Sequence, residues 1–473
     1  MTRNRRIYLL SPRDLSPETI AVTFAKTSRS PKPFDEIASE LTDDRSAEFH
    51  EKWVVGYGHA SVAEHAVLHL ALENVSRLAI ETIEGNRLAS YTEKSSRYQQ
   101  WDQDAFYIPE ELGEGKLMQV FIDTCHLLFN SYQESIPVVE SWLKMVRPQN
   151  QEESDSAYHR RIRGEAVDNC RFLLPAASLA NVGVTINARA LEYAICKMLS
   201  SPLEEVRDIG ENLREVGQNE APTLVKYAAC NQYLVNAGKK LSDYAKCLST
   251  RSSKGELNLL DWDKTGEQKI LAALLYRFGA DCDFQACLEY VQSLSQDEFI
   301  RLASDLMSGR GKFDQPLREF EYAQMTFDLV MDQGAYFEFK RHRMMTQTTG
   351  ALSPKLGFAV PRAITEAGCE EDYIKAMRKA AQVYDEIAEL NRDAASYIIP
   401  NAYNRRVLCT MNLREFFNFC RLRSAENAHF SIRRISLWMA EKVENFYPIL
   451  GSYLDRPKEE TWRDIENRYF SQV

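Results

Sequence analysis

Three short stretches of this chain hold residue types that can do chemistry. The first, GHASVAEH at 58–65, gathers His59, Ser61, Glu64 and His65, and His69 follows. His65 and His69 fall one helical turn apart, a spacing that could hold a metal. The glutamate, however, precedes the first histidine, which is not the metalloprotease order, and polar residues at a helix start explain the same pattern without a metal. The second, LASYTEKSSRYQ at 88–99, puts Glu93, Ser95, Ser96 and Arg97 close together just after Arg87. Such hydroxyls and guanidinium groups can ligate phosphate oxygens, and the carboxylate a sugar or base edge. An ordinary polar loop has the same composition. The third, KRHRMMTQTT from Lys340, follows the apolar AYFEF and runs Arg341, His342, Arg343. Adjacent cations repel unless an anion sits among them, although a solvated helix end would also carry them. Arg423 lies on a helix whose other face is Phe416, Phe419 and Leu422, and its pattern alone is that of a surface arginine.

The whole chain sets limits on that chemistry. At 473 residues it is long enough for two domains. A hydrophobic share of 44% with 27% charged residues is the composition of a globular protein. No apolar run nears the roughly 18 residues of a membrane span, and the apolar part of MTRNRRIYLLSPRD is too short for a signal-peptide core. The 10 cysteines include no CxxC pair, as expected of a reduced cytoplasmic chain. A net charge of −10 argues against a nucleic acid polymer as partner but leaves room for a local nucleotide site.

The elements that would position these residues occur twice. RIYLLSPRDLSPETIAVTFAK near the start resembles LNLLDWDKTGEQKILAALLYR from Leu257, each reading as a short strand, a turn and an amphipathic helix. Further on, RFLLPAASLANVGVTINARALEY pairs with YIIPNAYNRRVLCTMNLREFFNF. In both, a proline (Pro175, Pro400) stands 12 residues before an asparagine (Asn187, Asn412), and Asn-x-Arg then opens a helix. LMQVFIDTCHLLFNSYQESI and YIKAMRKAAQVYDEIAELN read as matching helices. AEHAVLHLALENVSRLAIETIE, from Ala63, reads as one largely buried helix. The expected class is α+β and helix-rich, with a first domain over 1–225, a linker over 226–255 and a second domain over 256–473.

These motifs together resemble the flavin-dependent thymidylate synthases (ThyX), duplicated in tandem. In that family a His-x-Ser/Thr-x-x-Glu-His opening leads to Arg-His-Arg, then Ser-x-x-Glu-x-Ser-x-Arg-Tyr, then an Asn-x-Arg helix with a later arginine. The first copy keeps the opening and the loop (Ser90, Glu93, Ser95, Arg97, Tyr98), but Gly85-Asn86-Arg87 replaces Arg-His-Arg. The second copy keeps Arg341-His342-Arg343 and has lost the loop and the opening. The family's phosphate arginine, four residues before the proline, is Arg171 in the first copy and Ser396 in the second. Its late arginine is Met198 in the first copy and Arg423 in the second, and its flavin asparagine is Tyr193 and Asn418.

In that family the active site lies between subunits of a homotetramer, and the residues each copy retains are those of opposite subunits. The resemblance therefore implies two small antiparallel sheets with helical bundles, packed as a pseudo-dimer with one complete composite site and one dead one. Two chains would form a homodimer equivalent to the tetramer. It implies transfer of a methylene from methylenetetrahydrofolate to C5 of dUMP, with FAD reduced by NADPH. Glu93, Ser95, Ser96, Arg97, Arg171, Glu338 and Arg341 would bind substrate, and Arg423 would act on the pyrimidine. His59, Ser61, Glu64, Arg341, His342, Arg343, Asn412, Arg414 and Asn418 would hold FAD. One position departs from the pattern: Glu338 stands where the family has a glutamine. A carboxylate accepts hydrogen bonds without donating them, which disfavours the uracil O4 and favours a base with an amino group. A different pyrimidine nucleotide, or a non-catalytic nucleotide-binding homologue, are the alternatives.

Overall fold

Asn187 and Asn412 each close a strand and open a helix. In the computed structural model, which describes residues 6–55, 60–97, 99–245, 247–248, 256–279, 281–311 and 313–473, both side chains cap helix N-termini. Asn187 accepts from the Ala190 amide at 2.9 Å to start Ala188–Leu199, and Asn412 accepts from the Glu415 amide at 2.8 Å to start Leu413–Arg423. Each satisfies a backbone donor that the helix itself cannot.

By compactness the chain forms two units: Met1–Lys94 with Ala105–Gly113 and Ala177–Arg251, and Ser95–Asp104 with Glu114–Ala176 and Ser252–Val473. These units cut across the repeat boundaries. The reason lies in the helix Lys116–Val146, which packs on its counterpart Glu370–Ala388 and so joins the second unit.

In the first unit, β1 (Val67–Ser76), β2 (Ala89–Glu93) and β3 (Leu179–Asn187) form an antiparallel sheet in the order β1-β3-β2. In the second, β4 (Leu257–Trp262), β5 (Gln324–Asp332), β6 (Thr346–Thr349) and β8 (Asn404–Asn412) form an antiparallel sheet in the order β4-β5-β8-β6. A two-stranded pair joins β7 (Val360–Pro361) to β9 (Phe470–Gln472). Each repeat thus places its asparagine-ending strand (β3, β8) between two others in the same order. Each also turns from the preceding edge or inner strand into a capped helix: Ser76 caps Arg77–Glu84 and Asp332 caps Gln333–Phe339.

Two expectations from the sequence need correction. The stretch from Ala63 is not one helix. Leu68, Leu70 and Leu72 are buried while Val67, His69 and Ala71 are exposed, so the two-residue period of a half-buried strand governs as far as Leu72, and after an irregularity the strand runs on to Ser76. Only Arg77–Glu84 is helical. Near the start, Ile7–Leu10 forms no strand, and Ile7 and Leu9 are largely exposed. Its counterpart β4 does form, because it pairs with β5. Within 226–255 the helix Gln232–Ala245 buries none of its residues, so nothing apolar fixes it to a core.

Candidate active site

The second unit gathers side chains from both repeats. Asp332, buried, accepts from the Ala335 amide at 2.8 Å and from the Ser431 hydroxyl, so it starts the helix that carries Glu338. Burial pushes its carboxyl up from the ordinary value, against the pull of those hydrogen bonds. The same helix is anchored by the Gly334 amide, which donates to the Asn401 carbonyl at 3.1 Å. From the first repeat comes the Leu174–Ala176 turn. Asn401 N donates to Leu174 O at 3.0 Å, Ala176 N donates to Ile399 O at 2.9 Å, and the two repeat prolines, Pro175 and Pro400, bridge one another. Asn401 Nδ2 also donates to the Arg171 carbonyl at 2.9 Å, which sets the backbone of that arginine.

Glu338 is the centre of the cluster. One carboxylate oxygen accepts from Arg423 Nη1 at 2.9 Å, and the other lies 3.7 Å from Arg171 Nη2 without a hydrogen bond. All three side chains are nearly enclosed, at 11%, 17% and 4% exposure. Arg171 Nη1 reaches Ser96 Oγ at 3.4 Å. Arg423 points its other edge at His342, where Nε donates to the imidazole Nε2 at 3.0 Å. A nitrogen that accepts from a guanidinium carries no proton, so the proton of His342 sits on Nδ1, which faces Glu415 Oε1 at 3.2 Å. His342 is therefore neutral. Burial is the largest cause of its lowered pKa, with Arg423 acting in the same direction and Glu415 opposing.

Arg97 sits beside this cluster. It forms a forked pair with Asp168, at 2.8 and 2.9 Å, and donates Nη1 to the Asn427 carbonyl at 3.0 Å. Asp168 in turn offers its carbonyl to His429 Nε2 at 3.1 Å, and that histidine stacks on Phe430. Asp168, Glu415, Asn427 and His429 were not singled out from sequence, since nothing in their spacing marks them. Ser95 accepts from the Arg97 amide at 3.2 Å and shapes the turn.

The residues expected to hold FAD divide between places. Asn412, Arg414 and Asn418 line one cavity of about 300 Å³ together with Gln315, Glu321 and Met344. Arg414 donates to the Pro316 carbonyl at 2.9 Å and to Glu321 at 3.2 Å. Arg341 is exposed and Arg343 half-buried, at the end of the helix that carries Glu338. Amides and a guanidinium in one concave site fit the amide-like edge of a flavin ring. The cavity takes one ring system and not the whole dinucleotide. Ser61 and Glu64 lie in the first unit, where Glu64 pairs with Arg189. His59 lies outside the described residues. Glu93 also belongs to the first unit, buried in an ion pair with Arg77 at 3.2 Å. His65 ends a 3-10 turn and His69 lies on β1, bonded to Thr185 at 3.0 Å, so the two are not one turn apart on a helix. Among the described residues no three His, Cys, Asp or Glu side chains gather as a metal site.

The comparisons with known proteins follow this division into repeats. The family model described as thymidylate synthase complementing protein matches twice, over residues 11–223 and 258–449. The chain belongs to that family. Its two matched segments fit a tandem duplication. A UPF0159 protein of Chlamydia muridarum is 32% identical over 433 residues, covering 88% of this chain and 82% of that protein. A UPF0159 protein of Thermoplasma acidophilum is 28% identical over 454 residues, covering 88% and 89%. A flavin-dependent thymidylate synthase of Clostridium tetani is 26% identical over 215 residues, covering 82% of that protein but only 45% of this chain. No described helix is long and apolar enough to cross a membrane.

The neutral histidines give a pH dependence. His50, His342 and His429 all have lowered pKa values, with burial the first cause in each. A histidine held below its unfolded value near 6.5 binds fewer protons folded than unfolded, so its folded form is favoured above that pH and penalised below it. Stability should fall between pH 7.5 and 5.5, by at most about 1.4 kcal/mol per pH unit for each histidine. Urea unfolding across this range checks the slope, and His342→Gln and His429→Gln should each make it shallower.

Proposed function

We infer that this chain is a flavin-dependent enzyme that methylates C5 of a pyrimidine deoxynucleotide, with dUMP the first expectation. The observation that carries the reading is the meeting of Arg171, from the first repeat, with Arg423, from the second, on the two oxygens of Glu338. Each repeat has kept the arginine that the other has lost. Ser95, Ser96, Arg97 and Arg171 would hold the nucleotide phosphate, for which guanidinium forks are well suited. Arg341 would lie against the same ligand. Arg423 would face the pyrimidine and stabilise charge developing there, while neutral His342 fixes its direction. Asn412, Arg414 and Asn418, with Arg341, His342 and Arg343, would hold FAD. Bound and reduced by NADPH, FAD would supply hydride, and methylenetetrahydrofolate the carbon. The protein's own work is to orient and polarise the base in an enclosed site. A homodimer would complete the assembly.

A second reading has a specific observation behind it. The Glu338 oxygen without a hydrogen bond is an acceptor in need of a donor, which the amino group of cytosine supplies. The functional test is release of tritium from C5-labelled dUMP in the presence of FAD, NADPH and methylenetetrahydrofolate. Release that needs all three supports the reading. No release with dUMP or dCMP, from protein that binds flavin, would leave a non-catalytic nucleotide-binding homologue.

A further inference from the structure

A second concave surface of the same unit is more basic than anything the reaction requires. A cavity of about 700 Å³ is lined by Arg97, Arg147, Arg160, Arg161, Arg433 and Arg468, against three carboxylates, Glu165, Asp168 and Glu426. This concentration stands in a chain whose net charge is −10, so it does not follow from general basicity. Several sequence segments converge to build it. The helix Asp155–Cys170 presents Arg160, Arg161, Gly164, Glu165 and Asp168 along one face, as the helical repeat requires. Arg433 comes from the helix Phe430–Phe446 and Arg468 from Trp462–Tyr469.

Arg97 is paired with Asp168 and Arg161 with Glu153, each at 2.8 Å, so neutralisation is incomplete only at the other four arginines. Arg433 and Arg468 share the single carboxylate of Glu460. Arg147 reaches Glu165 only at 3.3 Å, with both side chains partly exposed. Arg160 donates to the Ser156 hydroxyl at 2.7 Å, a neutral partner. At one end Phe430 and Tyr469 stack in parallel, with centroids 4.9 Å apart and planes 4° apart, and give an apolar wall. Guanidinium groups spread around a volume, rather than along a line, suit a compact ligand with several anionic oxygens. The volume is that of a nucleotide-sized ligand.

We propose that this cavity is a second anion site, for an oligophosphate of two or three phosphates, free or carried by a nucleotide. It shares Arg97 with the nucleotide cluster proposed above, while its other five arginines take no part in that reading. An occupant that takes Arg97 from Asp168 would act on the nucleotide cluster, so the site is placed to regulate.

The test is calorimetric titration of the full chain at low salt with inorganic triphosphate, with dTTP, and with inorganic phosphate. It is repeated on Arg160→Ala/Arg468→Ala, two exposed positions outside the proposed catalytic cluster, with circular dichroism to confirm folding. Native protein should bind triphosphate about tenfold or more tighter than phosphate, and the double variant should lose about tenfold in affinity for triphosphate. Tighter binding of dTTP than of triphosphate would name a nucleotide as the source, and equal binding the oligophosphate alone. Absence of triphosphate binding, or binding unchanged in the variant, overturns the proposal. Should dUMP fail to bind while triphosphate behaves as stated, the functional reading falls and this site stands.

Discussion

Replacing Glu338 by glutamine should loosen the free protein and tighten its hold on dUMP. The carboxylate now lies between Arg171 and Arg423, all three being nearly enclosed. Its removal takes a carboxylate from between two buried cations, a change that costs about 3 kcal/mol or more when a buried pair is broken. The same change removes an internal anion that competes for the guanidinium groups a nucleotide would use. The two effects have opposite signs in the two states. The variant should unfold at lower urea concentration alone, and dUMP should stabilise it more than it stabilises native protein. Each 1.4 kcal/mol of that difference corresponds to about a tenfold gain in affinity. A fall in preference for dCMP relative to dUMP should accompany it, because glutamine can donate to O4 and the carboxylate cannot. Equal preference for dUMP in native and variant protein would remove Glu338 as a determinant of the base.

Arg423→Lys should abolish most turnover while sparing the flavin. The guanidinium of Arg423 works in two directions at once, through Nη1 to Glu338 and through Nε to His342. An ammonium carries its donors on one compact centre and lacks the planar fork whose separate nitrogens reach the two partners. If Arg423 stabilises charge on the pyrimidine, its loss should lower kcat by about 100- to 1000-fold, the range seen when one such donor is removed. Asn412, Arg414 and Asn418 line a separate cavity that does not include Arg423, so flavin absorbance should survive. Tritium release measures the first effect and the visible spectrum the second. Loss of both together would mean that Arg423 holds the fold and not the reaction.

What could be read from sequence was set by local spacing. That helices open at Asn187 and Asn412 followed from a repeated spacing, and the caps found there are local hydrogen bonds. The stretch after Ala63 was misread because Leu68, Leu70 and Leu72 alternate on a strand, while Ala79, Ile80 and Ile83 beyond them follow the helical period. A single window over both blurs the two. The partners of the site residues were invisible for a different reason. Arg97 meets Asp168 and the Asn427 carbonyl, and His342 meets Glu415, across 71, 330 and 73 residues. No short motif encodes such pairs. Compactness was equally hidden: the helix Lys116–Val146 belongs to the first repeat by sequence, but its buried face is used against Glu370–Ala388.

The central claim is that the retained halves of the two repeats make one working flavin and nucleotide site. Its most direct test is the visible absorption spectrum of the purified protein, with FAD restored, before and after addition of dUMP. The spectrum should be that of a protein-bound flavin and should shift when dUMP binds, and the shift should disappear in Arg171→Ala. Protein that retains no flavin under these conditions would contradict the claim.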